Sequence, residues 1–489
     1  MTLKFDGITK EYIASVEAIE RHYGPNRSID RTNIPGRQGA VKRSVTDGEK
    51  VWDVTIVVRA IGNLTIQDVA DDMVEWLYHG EPKRVVFPDE PGRYYEVMVD
   101  GGISKDEIIS FARCTIKFVS LDGKGHSTTR YTNTAISDVV DVVNEGTADT
   151  DMIVEATALE DSTMFMITKG DSDYFMLGKP TDAFKGEADT TPTVWAAKNN
   201  TFQTFTKRPD NTLVGDRNLT GQFATGSISL SGNVLRANYG TTSMSGIWHG
   251  PVYRKSLSSL VDDFHSRSSF RINQVNGHGV GKSFIHLYDD AGNRVLSYGL
   301  IDPTNRGRNV KVVVRLYTTD GGYEEIYSSQ GYRYDNVYAD RSIWISVDRI
   351  GRRYVVKTWH NYTENGIKKV TARAQVSYND GEGLFARPIA IGEIAMARHS
   401  KYPAADQAMS WCRIEDDLDI EDVVPYLIKT GDEIVIDTKQ SLVLLNDEPM
   451  TSKKDFGSNY FKIDKGLNRL LIEPQGKFDT TVKWYDRYL

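Results

Sequence analysis

Aromatic and basic side chains crowd one short stretch in the middle of the chain. The segment GIWHGPVYRKSL sets four of them around a Gly-Pro turn: Trp248, His249, Tyr253 and Arg254. Sugar C–H groups stack on aromatic faces, and nearby polar side chains hydrogen-bond the hydroxyl groups. These residue types at this spacing therefore predict a carbohydrate-binding site. The alternative is that Trp248 belongs to the core of a β-sandwich.

Two further tryptophans, Trp344 and Trp359, lie in alternating, strand-like runs. Ile343, Ile345 and Val347 fall on the face opposite Trp344, so one side of that strand must be less buried. We include both tryptophans among the candidate carbohydrate-binding residues, with core packing as the alternative for each. A tyrosine-rich stretch nearby suits either ligand contact or an interface between protomers: Tyr323, Tyr327, Tyr332, Tyr334 and Tyr338.

Three carboxylates near the end of this region could be the catalytic groups of an enzyme. Asp417, Asp419 and Glu421 recur at every second position, which on a strand would place them on one face. That arrangement resembles the Glu-x-Asp-x-Glu strand of jelly-roll glycoside hydrolases, in which two carboxyl groups flank the glycosidic bond. The first residue here is Asp rather than Glu. A solvated acidic linker is the alternative, and the sequence predicts no enzyme.

Aspartates in turns could offer hard oxygen ligands to calcium. They occur at Asp262-Asp263, at Asp289-Asp290, and at Asp380 with Glu382. None matches an EF-hand or another ordered calcium pattern. No glycine-rich phosphate loop, Ser-His-Asp signature or paired Cys/His zinc motif is present in the sequence. We therefore predict no cofactor, with calcium the one metal for which ligands are at hand.

Composition argues against several functional classes. The 489 residues include 59 basic and 67 acidic ones, for a net charge of −8, without a basic block. Tight binding to nucleic acid or to an anionic membrane is therefore not predicted. No apolar run is long enough to span a membrane and the start lacks the apolar core of a signal peptide, which predicts a soluble product made in the cytoplasm. Cys114 and Cys412 lie far apart and are predicted to be buried reduced thiols.

The chain is predicted to be mostly β, with one helix near its start. Residues 51–59 alternate apolar and polar side chains, as a half-buried strand does. Residues 65–79 are typical of a helix, because Thr65 can cap it with Asp68 three residues on, and Gly80 can end it. Its apolar stripe consists of Ile66, Val69, Met73, Trp76 and Leu77. For residues 1–130 we predict a β-sandwich with this helix packed on it.

The C-terminal domain is predicted to be interrupted. Residues 131–184 hold too few strands for a core of their own, and the strands within residues 418–489 also lack a domain. Together the two pieces reach roughly 120 residues, a normal size for a β-sandwich. Residues 185–417 between them contain many short strands separated by turn signals. This pattern predicts an inserted two-sheet jelly roll.

The amino-acid sequences of both ends of the chain resemble those of the distal tail proteins of siphophages that infect Gram-positive bacteria. NIPGRQGAV (residues 33–41) and FPDEPGRYYEV (residues 87–97) carry the resemblance near the start, and the run from GDEIVIDTKQ to VKWYDRYL (residues 431–489) carries it at the end. The segment GIWHGPVYRKSL resembles a sequence motif in the carbohydrate-binding inserts of these proteins. The chain is thus identified as a member with an inserted carbohydrate-binding-module-like domain, an evolved distal tail protein, and the resemblance implies a galectin-like C-terminal sandwich.

The resemblance also implies a place and partners. The protein would lie in the virion, at the distal end of the tail, where the N-terminal domain would form a homohexameric ring. One face of the ring would contact the tail tube protein, and the other a tail-associated adhesin or lysin. The insert would bind host cell-wall polysaccharide or teichoic acid during adsorption. Two alternatives stay open: an insert that only docks other baseplate proteins, and a jelly-roll glycoside hydrolase.

Overall fold

The computed structural model describes residues 3–21, 24, 26–103, 108, 112–181, 185–214, 222–307, 309–329, 338–339 and 341–489. Within them the chain is mostly β, as predicted, with one α-helix at Ile66–Leu77. The chain divides into two compact units, one formed by Met1–Thr181 with Leu427–Leu489 and the other by Asp182–Tyr426. In the described ranges, no helix has the length and apolar character needed to cross a membrane.

The N-terminal domain contains nine strands and the helix. Their bounds are β1 (Lys4–Phe5), β2 (Ile13–Arg21), β3 (Arg27–Asn33), β4 (Ala40–Asp47), β5 (Lys50–Val58), α1 (Ile66–Leu77), β6 (Lys83–Val86), β7 (Arg93–Val99), β8 (Arg113–Ser120) and β9 (Gly125–Ser127). Six strands pair in the order β1-β6-β7-β8-β5-β2, so β7 joins two halves of the sheet. The rings of Trp52 on β5 and Tyr95 on β7 lie 4.6 Å apart, because both halves contribute to one core.

Helix α1 begins where the sequence predicts. Thr65 Oγ1 accepts a hydrogen bond from the backbone N–H of Asp68 at 3.2 Å, and Asp68 Oδ2 accepts one from the backbone N–H of Thr65 at 2.8 Å. This is the predicted capping box. The prediction that Gly80 ends the helix is wrong. Tyr78 already has an extended backbone, and its hydroxyl donates to the carbonyl oxygen of Gly101 at 2.9 Å, which draws the chain away from the helix axis.

The remaining strands fall before, within and after the insert. Before it come β10 (Tyr131–Thr134), β11 (Val139–Asn144), β12 (Met152–Ala158), β13 (Met164–Lys169) and β14 (Asp173–Gly178). The insert contains β15 (Gly186–Ala188), β16 (Thr193–Ala197), β17 (Thr206–Lys207), β18 (Leu213–Val214), β19 (Gln222–Ala224), β20 (Ser227–Ser231), β21 (Val234–Asn238), β22 (Trp248–Gly250), β23 (Val252–Val261), β24 (Phe264–Asn273), β25 (Gly281–Tyr288), β26 (Arg294–Asp302), β27 (Lys311–Tyr317), β28 (Tyr323–Ser329), β29 (Ile343–Ile350), β30 (Arg353–Glu364), β31 (Ile367–Asn379), β32 (Ile389–His399), β33 (Asp406–Asp416) and β34 (Val423–Pro425). After it come β35 (Glu433–Asp437), β36 (Leu442–Leu445), β37 (Glu448–Pro449), β38 (Gly466–Glu473), β39 (Phe478–Trp484) and β40 (Arg487–Tyr488).

The C-terminal sandwich takes its strands from both sides of the insert, as predicted. One sheet has the order β10-β39-β12-β35-β36-β37, and the other has the order β11-β38-β13-β14. Val154 on β12 lies opposite Ile436 on one side and Val482 on the other, and all three belong to the buried core between the sheets. Neither piece has enough strands to bury two sheet faces alone, so the fold requires both.

The insert is a sandwich of two large sheets, which confirms the predicted two-sheet architecture. The ten-stranded sheet has the order β18-β19-β22-β32-β25-β26-β27-β28, with β23 also paired to β32 and β17 paired to β23. The eight-stranded sheet has the order β20-β21-β33-β24-β29-β30-β31, with β16 also paired to β33. Tyr298 lies in the core between them, where its hydroxyl hydrogen-bonds the hydroxyl of Ser266 at 2.7 Å.

The second compact unit extends beyond residue 417, where we predicted the insert to end. Strands β15 and β34 pair in parallel, with Gly186 opposite Val423, and this pairing keeps residues up to Tyr426 with the insert. The exact domain limits, 1–130, 131–184, 185–417 and 418–489, remain predictions.

Both cysteines are buried. Burial raises the pKa of the Cys412 thiol to about 12, which keeps that side chain neutral.

Candidate functional site

A continuous line of polar side chains crosses the outer face of the ten-stranded sheet, the face turned away from the core between the two sheets. Backbone register aligns one residue from each of β23, β32, β25, β26, β27 and β28. Ile285 and Leu287, which flank the residue on β25, belong to that core, so strand alternation places the line on the outer face. We call these six residues the polar row: Arg254, Glu393, His286, Ser297, Arg315 and Glu325.

The polar row is organised around a fully buried carboxylate. Glu393 is 0% exposed, and Arg208 Nε donates to its Oε2 at 3.0 Å. The hydroxyl of Tyr288 donates to Glu393 Oε1 at 2.6 Å and accepts from a terminal nitrogen of Arg294 at 3.0 Å. Burial, and the charge of Glu393 next to it, raise the pKa of Tyr288 to about 12, so the hydroxyl keeps its proton. Four side chains are thereby held in one fixed network.

A row of aromatic rings and arginines borders this network. The guanidinium of Arg294 lies 5.4 Å from the ring of Tyr288 and 5.3 Å from the ring of Tyr317. The guanidinium of Arg315 lies 4.2 Å from the ring of Tyr323, which is 44% exposed. Alternating cations and rings support each other through cation–π attraction. The exposed end of this row offers a ring face and charged groups to a polar ligand.

His286 lies in the middle of the polar row and is neutral. Its Nδ1 is 2.8 Å from the hydroxyl of Ser297, and its ring stacks on Phe284. Burial, together with the positive charges of Arg294 and Arg208, lowers the pKa of His286 well below its usual range. Its Nε2 is buried and has no hydrogen-bond partner among the described residues. A neutral imidazole held in this way can donate or accept one hydrogen bond, depending on its tautomer.

The structure separates the four residues predicted around the Gly-Pro turn. Trp248 lies on the outer face, with its ring 4.2 Å from Lys282 Nζ, and Arg254 belongs to the polar row. His249 is 3% exposed and hydrogen-bonds the hydroxyl of Thr225 at 3.0 Å. Tyr253 packs on the inter-sheet core, because strand alternation turns it to the face opposite Arg254. We therefore retain only Trp248 and Arg254 in this site.

Trp344 and Trp359 lie on the other sheet. They are cross-strand neighbours on β29 and β30, with parallel rings 5.7 Å apart, and they are 6% and 2% exposed. Ile343, which precedes Trp344, is in the core, so the pair lies on the outer face of the eight-stranded sheet as strand alternation predicts. The stacked rings leave little free surface, and the structure does not bring them together with Trp248.

Sequence reasoning missed the most exposed aromatic ring of this sheet. Trp411 is 53% exposed and has φ of 53°, because β33 bulges opposite β24 between the pairs Arg267–Arg413 and Ser269–Ser410. At a bulge, a side chain that regular alternation would bury can point out of the sheet. The tyrosine-rich stretch is only partly described. Tyr327 and Tyr338 share a hydrogen bond of 3.1 Å, and Tyr332 and Tyr334 lie outside the described residues.

The arrangement required for a hydrolase at the acidic stretch is absent. Strand β33 ends at Asp416, so Asp417, Asp419 and Glu421 do not share a strand face. Asp417 instead bonds a histidine: His265 Nε2 lies 3.3 Å from its Oδ2, while His265 Nδ1 lies 3.1 Å from Asp348 Oδ1. Asp417 therefore has a structural role, and these three carboxylates lack the shared strand face that the hydrolase alternative requires.

This histidine should make the stability of the insert depend on pH. Burial opposes its charge, but the hydrogen bonds of Asp348 and Asp417 dominate and raise the pKa of His265 to about 10. A raised pKa gives stabilisation that is complete below the unfolded-state pKa of about 6.5 and is lost as the pH rises towards 10. His265→Asn should therefore cost about 2 kcal/mol at a pH of about 6 and much less near 10. Thermal unfolding at several pH values measures the difference.

His360→Asn is the matched control for this prediction. Burial lowers the pKa of His360, so that residue contributes no imidazolium at neutral pH. A stability loss in His265→Asn that stayed constant from pH 6 to pH 10 would show that the imidazolium is not the stabilising form.

Three of the aspartates that could offer ligands to calcium have protein partners. Asp289 accepts from the backbone N–H of Asn293 at 2.7 Å, and its Oδ2 lies 3.2 Å from a terminal nitrogen of Arg387. Asp380 accepts from the backbone N–H groups of residues 384–386, and Asp263 accepts from that of Gly351. In the part of the chain that the structure describes, no cluster of three or more His, Cys, Asp or Glu side chains could hold a metal.

Two family models match the ends of the chain. Residues 6–120 match a phage tail protein RIFT-related domain, and residues 404–488 match the C-terminal domain of a siphovirus-type tail component. The first match covers most of the N-terminal domain described above. The second covers β33 and β34 of the insert and the strands that complete the interrupted sandwich. No curated protein sequence matches the chain.

Similar solved structures were also found. The CBM2 module of the evolved distal tail protein of Lactobacillus casei BL23 phage J-1 is 14% identical, and the match covers 47% of this chain and 98% of that one, with a TM-score of 0.37. The SPP1 distal tail protein is 17% identical over 36% of this chain and 74% of that one, with a TM-score of 0.31. A legume lectin-like domain from Entamoeba histolytica is 11% identical over 46% and 98%, with a TM-score of 0.28.

Both family models describe parts of phage tail proteins, and they match opposite ends of this chain. A tail-protein domain stands at the start, a tail-component domain stands at the end, and the two-sheet insert interrupts the latter. The chain thus carries a phage tail protein domain at its start and the C-terminal domain of a siphovirus-type tail component at its end, in agreement with the predicted resemblance to distal tail proteins.

Proposed function

We propose that this protein is the structural hub of a siphophage tail tip, and that its insert attaches the virion to host cell-wall saccharide. Six copies form a ring at the distal end of the tail, between the tail tube protein and a tail-associated adhesin or lysin. The two matched tail-protein domains support the role of structural hub. The outer face of the insert's ten-stranded sheet supports saccharide binding.

A two-stranded hairpin supports assembly into a ring. Among the described residues, strands β3 and β4 pair only with each other and form a separate sheet. Ile29 and Val45 lie opposite each other in this hairpin and are 48% and 42% exposed. An isolated hairpin is marginally stable in water, so a surface that covers these side chains would stabilise it. A neighbouring copy in the ring is the partner we propose.

Charging this hairpin should prevent ring assembly. Ile29→Asp with Val45→Asp would place two carboxylates in the proposed contact, where an unpaired buried charge costs several kcal/mol. We expect the double variant to remain monomeric in analytical ultracentrifugation with tail tube protein present, and to unfold at the temperature of the parent. Ile136→Asp, at a site that is 80% exposed in the C-terminal domain, is the control. Hexamers of the double variant would contradict the proposal.

The buried carboxylate of Glu393 carries the proposal of saccharide binding. Burying a charged group with its partners seldom stabilises a fold beyond what apolar residues of similar size would. Here Glu393, Arg208 and Tyr288 fix the orientation of polar groups on the sheet face that also carries the exposed ring of Tyr323. Pre-organised polar groups beside a ring face are what a sugar-binding site needs. Six displayed copies would turn weak contacts into firm attachment, because later contacts become effectively intramolecular.

Binding to bacterial cell walls tests the proposal directly. Fluorescently labelled full-length protein should label walls from a panel of Gram-positive bacteria in a saturable way, and free wall polysaccharide should compete. Trp248→Ala with Arg254→Ala should weaken binding at least tenfold, since each removes about 1–2 kcal/mol of contact. Arg373→Gln, at an exposed position of β31 on the other sheet, is the control. Binding that the double variant retains, or the absence of wall binding, would favour an insert that docks other baseplate proteins.

A further inference from the structure

A small cavity opens on the outer face of the eight-stranded sheet, away from the polar row. Its volume is about 120 Å³, and strands β21, β24 and β33 and the residue before β29 line it. Backbone register aligns Arg236, Ala408 and Arg271 across three neighbouring strands. The next line two residues along contains Val234, Ser410 and Ser269, and continues to Trp344.

Side-chain size explains the cavity. Ala408, Ser410 and Ser269 occupy the two central strands, β33 and β24, and are too short to fill the space above the sheet. Arg236 stands on the neighbouring strand β21, and Arg271 stands on β24 itself. The short side chains therefore form the bottom of the cavity, and the two arginines form part of its sides.

One carboxylate holds both arginines in place. Asp406 Oδ1 accepts from Arg236 at 2.8 Å, and Asp406 Oδ2 accepts from Arg271 at 2.8 Å. Two guanidinium groups and one carboxylate leave a net positive charge at the cavity. The Nε of Arg271 is buried and has no hydrogen-bond partner among the described residues. A guanidinium fixed by one carboxylate and still able to donate is well prepared to bind an oxyanion.

Hydroxyl groups line the cavity, and an exposed ring follows one of these serines in the chain. The cavity is lined by Ser269, Ser342 and Ser410, and none of their hydroxyls forms a hydrogen bond to another described residue. Ser269 is only 4% exposed, and it lines the cavity on the central strand β24. Trp411 follows Ser410 directly and is 53% exposed at the bulge in β33.

We propose that this cavity is a second ligand site of the insert, for an oxyanion carried on a sugar ring. Arg236 and Arg271 bind the phosphate or carboxylate group, the serine hydroxyls donate hydrogen bonds to its oxygens, and Trp411 stacks on the ring. The volume suits an oxyanion group rather than a whole sugar, which places the ring at the mouth of the cavity. The inference rests on the proposed saccharide binding, but it concerns residues on a different sheet.

Small probes test the site in the full-length protein. Ligand-detected NMR and calorimetry should show binding of glucose 6-phosphate or glucuronic acid and none of glucose, and the stronger of the two identifies the oxyanion as phosphate or carboxylate. Arg236→Gln with Arg271→Gln should weaken that binding at least tenfold. Trp411→Ala should weaken binding of the sugar-borne oxyanion several-fold and leave the affinity for inorganic phosphate unchanged.

Matched controls separate this site from the rest of the insert. Arg373→Gln removes an exposed arginine elsewhere on the same sheet and should change nothing, and an unchanged unfolding temperature shows that each variant is folded. Equal binding of glucose and its phosphate would overturn the proposal, as would undiminished binding in the arginine double variant. Because the cell-wall assay uses Trp248 and Arg254, probe binding without wall binding would leave this site standing while the proposed function fails.

Discussion

Removing the insert should leave the rest of the protein folded, whereas removing everything after it should not. We expect a chain in which a six-residue Gly-Ser linker replaces residues 182–426 to keep both the N-terminal domain and the C-terminal sandwich. A chain that ends at Tyr426 should lose the sandwich, because β12 would lose both neighbours, β35 and β39, and the core between the sheets would open.

The backbone at the insertion point explains why a short linker suffices. The N–H of Lys179 donates to the carbonyl oxygen of Thr163 at 3.2 Å, and the N–H of Leu427 donates to that of Ser162 at 3.1 Å. The chain therefore leaves and re-enters the sandwich beside two consecutive residues. A flexible six-residue linker spans about 13 Å on average, which is enough to join these ends without strain.

Near-ultraviolet circular dichroism and calorimetry measure both outcomes. The excised chain should keep a cooperative unfolding transition and lose one that the full chain has, which assigns the lost transition to the insert. The truncated chain serves as the contrasting variant, since it keeps the insert and loses the sandwich strands. An excised chain without fixed tertiary structure would show that the sandwich depends on the insert.

Replacing Glu393 with Ala should destabilise the insert by about 3–5 kcal/mol. The reason is that Arg208 would lose the carboxylate that compensates its charge on the outer face of the ten-stranded sheet. The substitution would also remove the acceptor of the Tyr288 hydroxyl, which is 2.6 Å away in the native protein. Glu393→Gln keeps an oxygen acceptor for one of these donors, so we expect a smaller loss of about 1–3 kcal/mol. The insert transition, assigned by excision, reports both values in denaturant titrations.

Glu325→Gln is the matched control at the far end of the polar row. Its carboxylate pairs with Arg315 at 2.9 Å but is 32% exposed, so water can replace the partner and the loss should stay below about 1 kcal/mol. Equal losses at Glu393 and Glu325 would mean that burial of the central network contributes nothing. That result would also weaken the case that the row is organised for a ligand.

Local physical chemistry in the sequence was sufficient for much of the architecture. The capping box at Thr65 and the apolar stripe of α1 predict the helix from neighbouring residues alone, and the structure confirms both. Alternation on β5 predicts which side chains are buried, since Trp52, Val54 and Ile56 are 0% exposed. Counting strands on either side of the insert predicts that the two pieces form one sandwich, because neither could bury two faces.

On one central strand of the insert, β24, the sequence does not indicate which side chains face the core. Strand β24 alternates serine with charged residues, and Ser266 and Ser268 face the core only because Tyr298 from the opposite sheet hydrogen-bonds them there. Serines in alternation indicate no preferred face by themselves. Their burial depends on a tyrosine that is 30 residues away in sequence from Ser268.

The sequence by itself determined the mostly β fold, the helix, the interrupted sandwich and the family resemblance, because each depends on local pattern or on the number of strands. Tertiary structure alone decided which functional side chains meet. Trp248 and Trp344 are both candidate carbohydrate-binding residues in the sequence, but they lie on different sheets. Trp411 is exposed only because β33 bulges opposite β24. The polar row and the arginine cavity each join residues from strands far apart in the chain, and only the register between those strands brings the side chains together.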